Sequence, residues 1–178
     1  MARVFSAVDI EDESLLKELE QVRDALDLGF NPVNRSKMHV TLEFFEDIGQ
    51  EEIDRLKKAM GSIELEPFKA DIKGVGVFPD RDYIRVVWAG MESRDIYELY
   101  DQVSRHGVEP SNDHDFTPHV TLMRVKNLSP QKKRKVQKSL REFQDHFFGT
   151  LEVDSVKLFE SRLTGKGSEY QMLHEEKL

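Results

Sequence analysis

The sequence predicts an α+β fold built from two similar lobes, and three features carry that expectation. Short segments with alternating apolar residues, rich in Val, Ile and Phe, take turns with segments whose apolar residues recur every three or four positions. The tetrapeptide His-Val-Thr-Leu stands at residues 39–42 and again at 119–122. Each copy follows a helix-like stripe, so the first half of the chain has a counterpart in the second.

Residues 3–9 alternate as a strand, and Leu15, Leu19, Val22 and Leu26 then form one helical stripe. Gly29, Asn31 and Pro32 make a break, after which residues 38–45 return to strand composition and 51–60 read as a second helix. Phe68–Ile72 and Tyr83–Ala89 are strand-like, the latter ending at Gly90. Ile96, Leu99, Tyr100 and Val103 give a third helix, closed by Gly107 just past its end. Residues 116–125 are again a strand. Ser129 followed by Pro130 opens a fourth helix, with a capping hydroxyl and a proline that fits the first helical position. The basic run Lys132–Lys135 in it reads as a solvated face rather than an RNA contact. Residues 150–163 and 168–174 read as two closing strands around Gly165 and Gly167. No linker or low-complexity tract divides the chain, so residues 1–178 are expected to form one domain.

Composition limits the function classes. Hydrophobic residues make up 38% and charged residues 34%, as in a packed soluble domain. The absence of cysteine excludes disulfides, thiol nucleophiles and thiolate metal sites. With no long apolar run, the expectation is a cytoplasmic protein without a membrane span; no apolar stripe is left over after each helix is given a core face, which suggests a monomer. The net charge of -8 argues against coating long nucleic acid, a mode that relies on neutralising many phosphates. It does allow a local site for one terminal phosphate, and Arg35, Lys37, Arg124 and Lys126 lie close in sequence to the repeated motifs.

In a strand, His39 and Thr41 share one face while Val40 and Leu42 share the other, and the same holds for His119 and Thr121. A single histidine on a strand is ordinarily a partly buried, hydrogen-bonded residue; the repeat is what points to chemistry. Two such polar faces set opposite each other make a cleft with two imidazoles and two hydroxyls. An unperturbed imidazole pKa of about 6.5 lets one ring be neutral and the other protonated near neutral pH, as paired acid–base catalysis requires. In-line displacement at phosphorus needs that pair, and the threonine hydroxyls suit the non-bridging oxygens. The strained ring of a 2',3'-cyclic phosphate can be opened without a Lewis acid, so no metal or other cofactor is expected. Asn112–Asp115 reads as a polar loop rather than a cation site.

These residues resemble the two-histidine phosphoesterases, specifically the RNA 2',3'-cyclic phosphodiesterases once called 2'-5' RNA ligases. The likeness rests on Arg3–Asp9, Met38–Phe44, Gly76–Pro79 with Val86–Gly90, Phe116–Arg124 and Tyr170. It implies two pseudo-symmetric lobes with antiparallel sheets facing a central cleft and helices on the outside. It further implies His39 as proton donor to the 3' leaving oxygen, His119 as base for water, and a 2'-phosphate product. RNA with a cyclic phosphate end or a small cyclic nucleotide would be the partner. Arg124 matches a phosphate-binding arginine, yet strict alternation puts it on the face opposite His119 unless a bulge intervenes near Met123. Phe5 and Phe44 match aromatics that either stack on a base or belong to the core. Two other readings use the same cleft: a 2'-5' ligase or phosphodiesterase, and a non-catalytic RNA-end binding module, the latter disfavoured by the presence of both His and both Thr.

Overall fold

Alternating apolar side chains and helical stripes give the elements in the expected order. The computed structural model describes residues 1–26, 31–111, 115–126, 128–165 and 167–178. Along the chain lie β1 (Ala2–Asp9), α1 (Glu13–Ala25), β2 (Asn31–Pro32), β3 (His39–Ile48), α2 (Gln50–Met60), β4 (Phe68–Pro79), β5 (Ile84–Glu92), α3 (Arg94–Val103), β6 (His119–Arg124), α4 (Pro130–Phe143), β7 (Phe147–Val153), β8 (Ser155–Thr164) and β9 (Gly167–Lys177). The helix starts are set by local chemistry. Asp12, Ser93 and Ser129 side chains accept backbone N–H groups of α1, α3 and α4, satisfying donors that a helix leaves unpaired. Gly107 takes the left-handed conformation (φ 67°) after the 3-10 turn that ends α3, which only glycine adopts without cost.

The strands form one antiparallel path, β7-β4-β5-β6-β3-β1-β8-β9, with the two-residue β2 paired to β6. It divides naturally into two four-stranded halves, each with a His-Val-Thr-Leu strand at its inner edge. The halves meet through a single registered pair, Val40 opposite Val120. Residues 150–163, expected as one strand, are two. Val153 pairs with Phe68 at one end of the path, whereas Ser155 pairs with Lys177 at the other, so the chain changes halves at Asp154.

Val40, Leu42, Val120 and Leu122 are at most 2% exposed and join Leu19, Leu56, Leu99 and Leu140 from the four helices in one apolar core. The helices therefore cover the face of the motif strands that carries these residues, and the histidine face is left open. Burying a side chain such as Leu19 contributes about 2 kcal/mol. α1 follows β1 in the chain but packs on β6 and β7, knitting the halves together.

Candidate active site

The Val40–Val120 pair fixes the centre of the site. Both valines point into the core, so their neighbours His39, Thr41, His119 and Thr121 point to the opposite face. Continuing the antiparallel register by one residue sets His39 level with Thr121 and Thr41 level with His119. The two imidazoles thus lie diagonally across the valine pair, as do the two hydroxyls. A local two-fold relation passes through the valine pair.

Both motif strands bulge at the same place. In the β1–β3 register Ala7 faces Thr41 and Ser6 faces Glu43, leaving Leu42 as an extra residue. In the β5–β6 register Trp88 faces Thr121 and Val87 faces Met123, leaving Leu122 extra. Two successive residues are consequently buried in each strand, Leu42 with Glu43 and Leu122 with Met123. The alternation then resumes out of phase, returning Phe44 and Arg124 to the histidine face. This supplies the bulge that the sequence requires if Arg124 is to reach the cleft.

Each imidazole is held by a carbonyl two residues upstream and by aromatic rings. His119 Nδ1 donates to the Thr117 carbonyl at 2.7 Å; because a carbonyl only accepts, the proton sits on Nδ1 and Nε2 is left to act. Phe78 meets that ring edge-on at 4.9 Å and Trp88 lies at 5.9 Å. His39 bonds the Lys37 backbone, stacks on Phe5 at 4.9 Å and meets Tyr170 edge-on at 5.6 Å. Burial pushes the His39 pKa down to about 4, with Arg124 and His119 adding to the fall and Asp9 and the Lys37 carbonyl opposing it. Burial and Arg124 also lower His119, partly offset by the Thr117 carbonyl.

The model of the AKAP7 2'5' RNA ligase-like domain matches residues 5–178. The chain belongs to the two-histidine phosphoesterase family. It is 32% identical to the RNA 2',3'-cyclic phosphodiesterase of Archaeoglobus fulgidus, over 96% of this chain and 97% of that protein. It is 34% identical to the protein of the same name from Methanothermobacter thermautotrophicus, over 94% of each. Among solved structures, TT0787 of Thermus thermophilus superposes with a TM-score of 0.78 at 27% identity, covering 99% of this chain and 97% of that one. E. coli LigT complexed with 3'-AMP superposes with a TM-score of 0.76 at 22% identity, covering 99% and 98%.

Within this two-histidine fold a cleft of about 380 Å³ opens beside His39 and Thr41, lined also by Arg3, Phe44, Arg124 and Tyr170. Of the four cations near the motifs in sequence, only Arg124 lines it. Arg35 pairs with Glu13 and Glu20, Lys37 Nζ donates to the Ser168 carbonyl, and Lys126 lines a separate hollow. Phe5 and Phe44 both line the cleft, Phe5 while only 3% exposed, so core and site roles coincide there. Burial raises the Tyr170 pKa, which keeps its hydroxyl protonated. Most of Asn112–Asp115 lies outside the described residues; among those described, no group of three His, Asp or Glu side chains is placed to hold a metal.

Several residues around the cleft and the two histidines were not singled out by sequence reasoning. Arg3 lies over the Phe44 ring at 5.3 Å and pairs with Glu46 at 3.1 Å. Asp9 stands opposite His39, whereas Gly90 stands opposite His119, which makes the two halves chemically unequal. Trp88 reaches His119 by lying across Gly76, where an added Cβ would meet the indole at 2.2 Å. That glycine is a packing requirement of the site.

Proposed function

We propose that the chain hydrolyses 2',3'-cyclic phosphate ends of RNA, and small 2',3'-cyclic nucleotides, to 2'-phosphomonoesters by metal-independent acid–base catalysis. The observation that carries the reading is the single Val40–Val120 register, which supports one shared face for two imidazoles, two hydroxyls and Arg124. The curated relatives bear the name RNA 2',3'-cyclic phosphodiesterase.

In this mechanism Nε2 of His119 takes a proton from water as the water oxygen bonds to phosphorus. The bond from phosphorus to the 3' oxygen breaks, and His39 gives its proton to that oxygen. The non-bridging oxygens rest between the Thr41 and Thr121 hydroxyls and the Arg124 guanidinium, which offset the charge that develops on them. Product leaves with His119 protonated and His39 neutral, and proton exchange with solvent restores the starting state.

His39→Ala and His119→Ala test the pairing on a short RNA with a cyclic phosphate end. Each is expected to lower kcat by roughly 10²–10⁴-fold while circular dichroism stays unchanged. Activity within a few fold of the parent in either variant would rule out the paired mechanism.

A further inference from the structure

Lys157 is the one lysine buried among the described residues, at 7% exposed. A lysine is rarely enclosed unless its charge is answered, and the acid–base chemistry of the cleft makes no direct use of this one. Its Nζ donates to an Asp9 carboxylate oxygen at 3.2 Å and to Glu11. Burial works to discharge the amine, but its bonds to these two carboxylates outweigh burial and raise the Lys157 pKa.

What this clamp holds is Asp9. The other oxygen of the Asp9 carboxylate accepts the Ile10 N–H at 3.1 Å, so the group is tied at both oxygens at the end of β1. Asp9 is registered directly opposite His39, and side chains opposite each other in an antiparallel pair share a face with Cβ atoms about 4.5–5.5 Å apart. Two residues earlier, Ala7 stands between Thr41 on β3 and Lys157 on β8. Lysine, carboxylate and imidazole therefore stand on one face across three adjacent strands. The corresponding place beside His119 belongs to Gly90, where an added Cβ would meet the Lys73 carbonyl oxygen at 2.8 Å. The ring assigned to give a proton has a carboxylate across from it, and the ring assigned to take one has no room for any.

The surrounding charges sharpen this contrast. Burial works against a charge on His39; Asp9 is the largest influence in its favour, ahead of the Lys37 carbonyl, while Arg124 and His119 on β6 add repulsion. Tyr170 on β9 stays protonated, Arg3 on β1 pairs with Glu46, and Lys37 Nζ is bound to the Ser168 carbonyl. Glu175, opposite Lys157 on β9, pairs with Lys177.

We propose that Asp9, held by Lys157, is a positioning residue for the reaction, its carboxylate keeping on His39 the proton that the leaving oxygen receives. The inference rests on the cyclic-phosphate reading of the cleft and adds to it a group that acts on the donor ring alone.

The test uses the full chain and the variants Asp9→Asn, Asp9→Glu and Glu11→Gln, with Asp9→Ser replacing the first if the amide disturbs folding. Imidazole nitrogen NMR in saturating inorganic phosphate reads both histidines. Asp9→Asn is expected to lower the His39 midpoint by about one unit, the low end of the effect of an opposite charge within about 6 Å because Lys157 offsets part of it, and to leave His119 in place. On a short RNA with a cyclic phosphate end, kcat at about pH 8 should fall about tenfold, whereas at about pH 5, where His39 is protonated in parent and variant alike, it should stay within about twofold. Asp9→Glu keeps the charge and should restore most of both readings. Glu11→Gln removes the other carboxylate on the same lysine and should change neither. An unmoved His39 midpoint, a loss of kcat equal at both pH values, or the same changes in Glu11→Gln would overturn the role of Asp9. If the parent protein opens no cyclic end, the reading of the cleft fails, and the midpoints alone then judge Asp9: a lowered His39 with His119 unmoved supports its hold on the ring, and an unchanged His39 overturns it.

Discussion

Binding of a phosphate anion should recharge His39. In the free protein burial holds its pKa at about 4, so at neutral pH the ring that is to act as acid carries no proton. A phosphate anion about 4 Å from the imidazolium, at an effective dielectric constant of about 20, attracts it by roughly 4 kcal/mol. At about 1.4 kcal/mol per pKa unit this is worth about three units, which brings His39 close to 7 when the cleft is filled. Imidazole nitrogen NMR across a pH series reads this directly, without and with saturating inorganic phosphate. The expected result is a His39 midpoint near 4 in the free protein and a rise of two to three units with phosphate. Arg124→Gln should raise the free value, because Arg124 is one of the groups that lowers it. The kinetic counterpart is a kcat/KM optimum below pH 6.5, since both free-enzyme imidazoles are lowered, with kcat holding to higher pH. A His39 midpoint at its ordinary value, or one that phosphate leaves unmoved, would refute the reasoning.

Three further outcomes follow from the same packing. The unfolded His39 binds its proton first as pH falls, so its stabilising contribution is present above 6.5 and is lost by pH 4. About 2.5 pKa units make this loss roughly 3 kcal/mol, and urea unfolding of His39→Gln should show a correspondingly shallower decline over that window. Gly76→Ala drives a methyl into Trp88; a stability loss of about 1–3 kcal/mol is expected, together with a fall in kcat as the ring beside His119 shifts. His106→Ala strips the buried Glu43 of its 2.8 Å partner. In the native protein the Val108 N–H occupies His106 Nδ1, so the Nε2 proton faces that carboxylate. Urea denaturation should show a loss of roughly 2–4 kcal/mol with an unchanged slope.

Much of the fold was legible because period and capping are local signals. The four helices and the motif strands lie where the apolar stripes of α1 and α3, the segment 51–60, the Ser129–Pro130 start and the alternation of residues 39–42 and 119–122 put them. The crossing at Asp154 was not legible, since Val153 and Ser155 differ only in which distant strand they pair with. The bulges are similarly hidden: the sequence shows Leu42-Glu43 and Leu122-Met123, and only the partner strands reveal that one residue is extra. That is why Arg124 was a conditional site residue until the register was known. Arg3, Asp9 and Trp88 enter the site by cross-strand pairing from segments whose own patterns announce only a strand.

The most direct test of the central claim is phosphorus NMR of a short RNA with a 2',3'-cyclic phosphate end, incubated with the protein in excess chelator. Replacement of the cyclic signal by that of a 2'-monophosphate is predicted, establishing metal-free ring opening and its direction together. A cyclic signal unchanged over hours in the presence of folded protein, or a 3'-monophosphate in its place, would contradict the account.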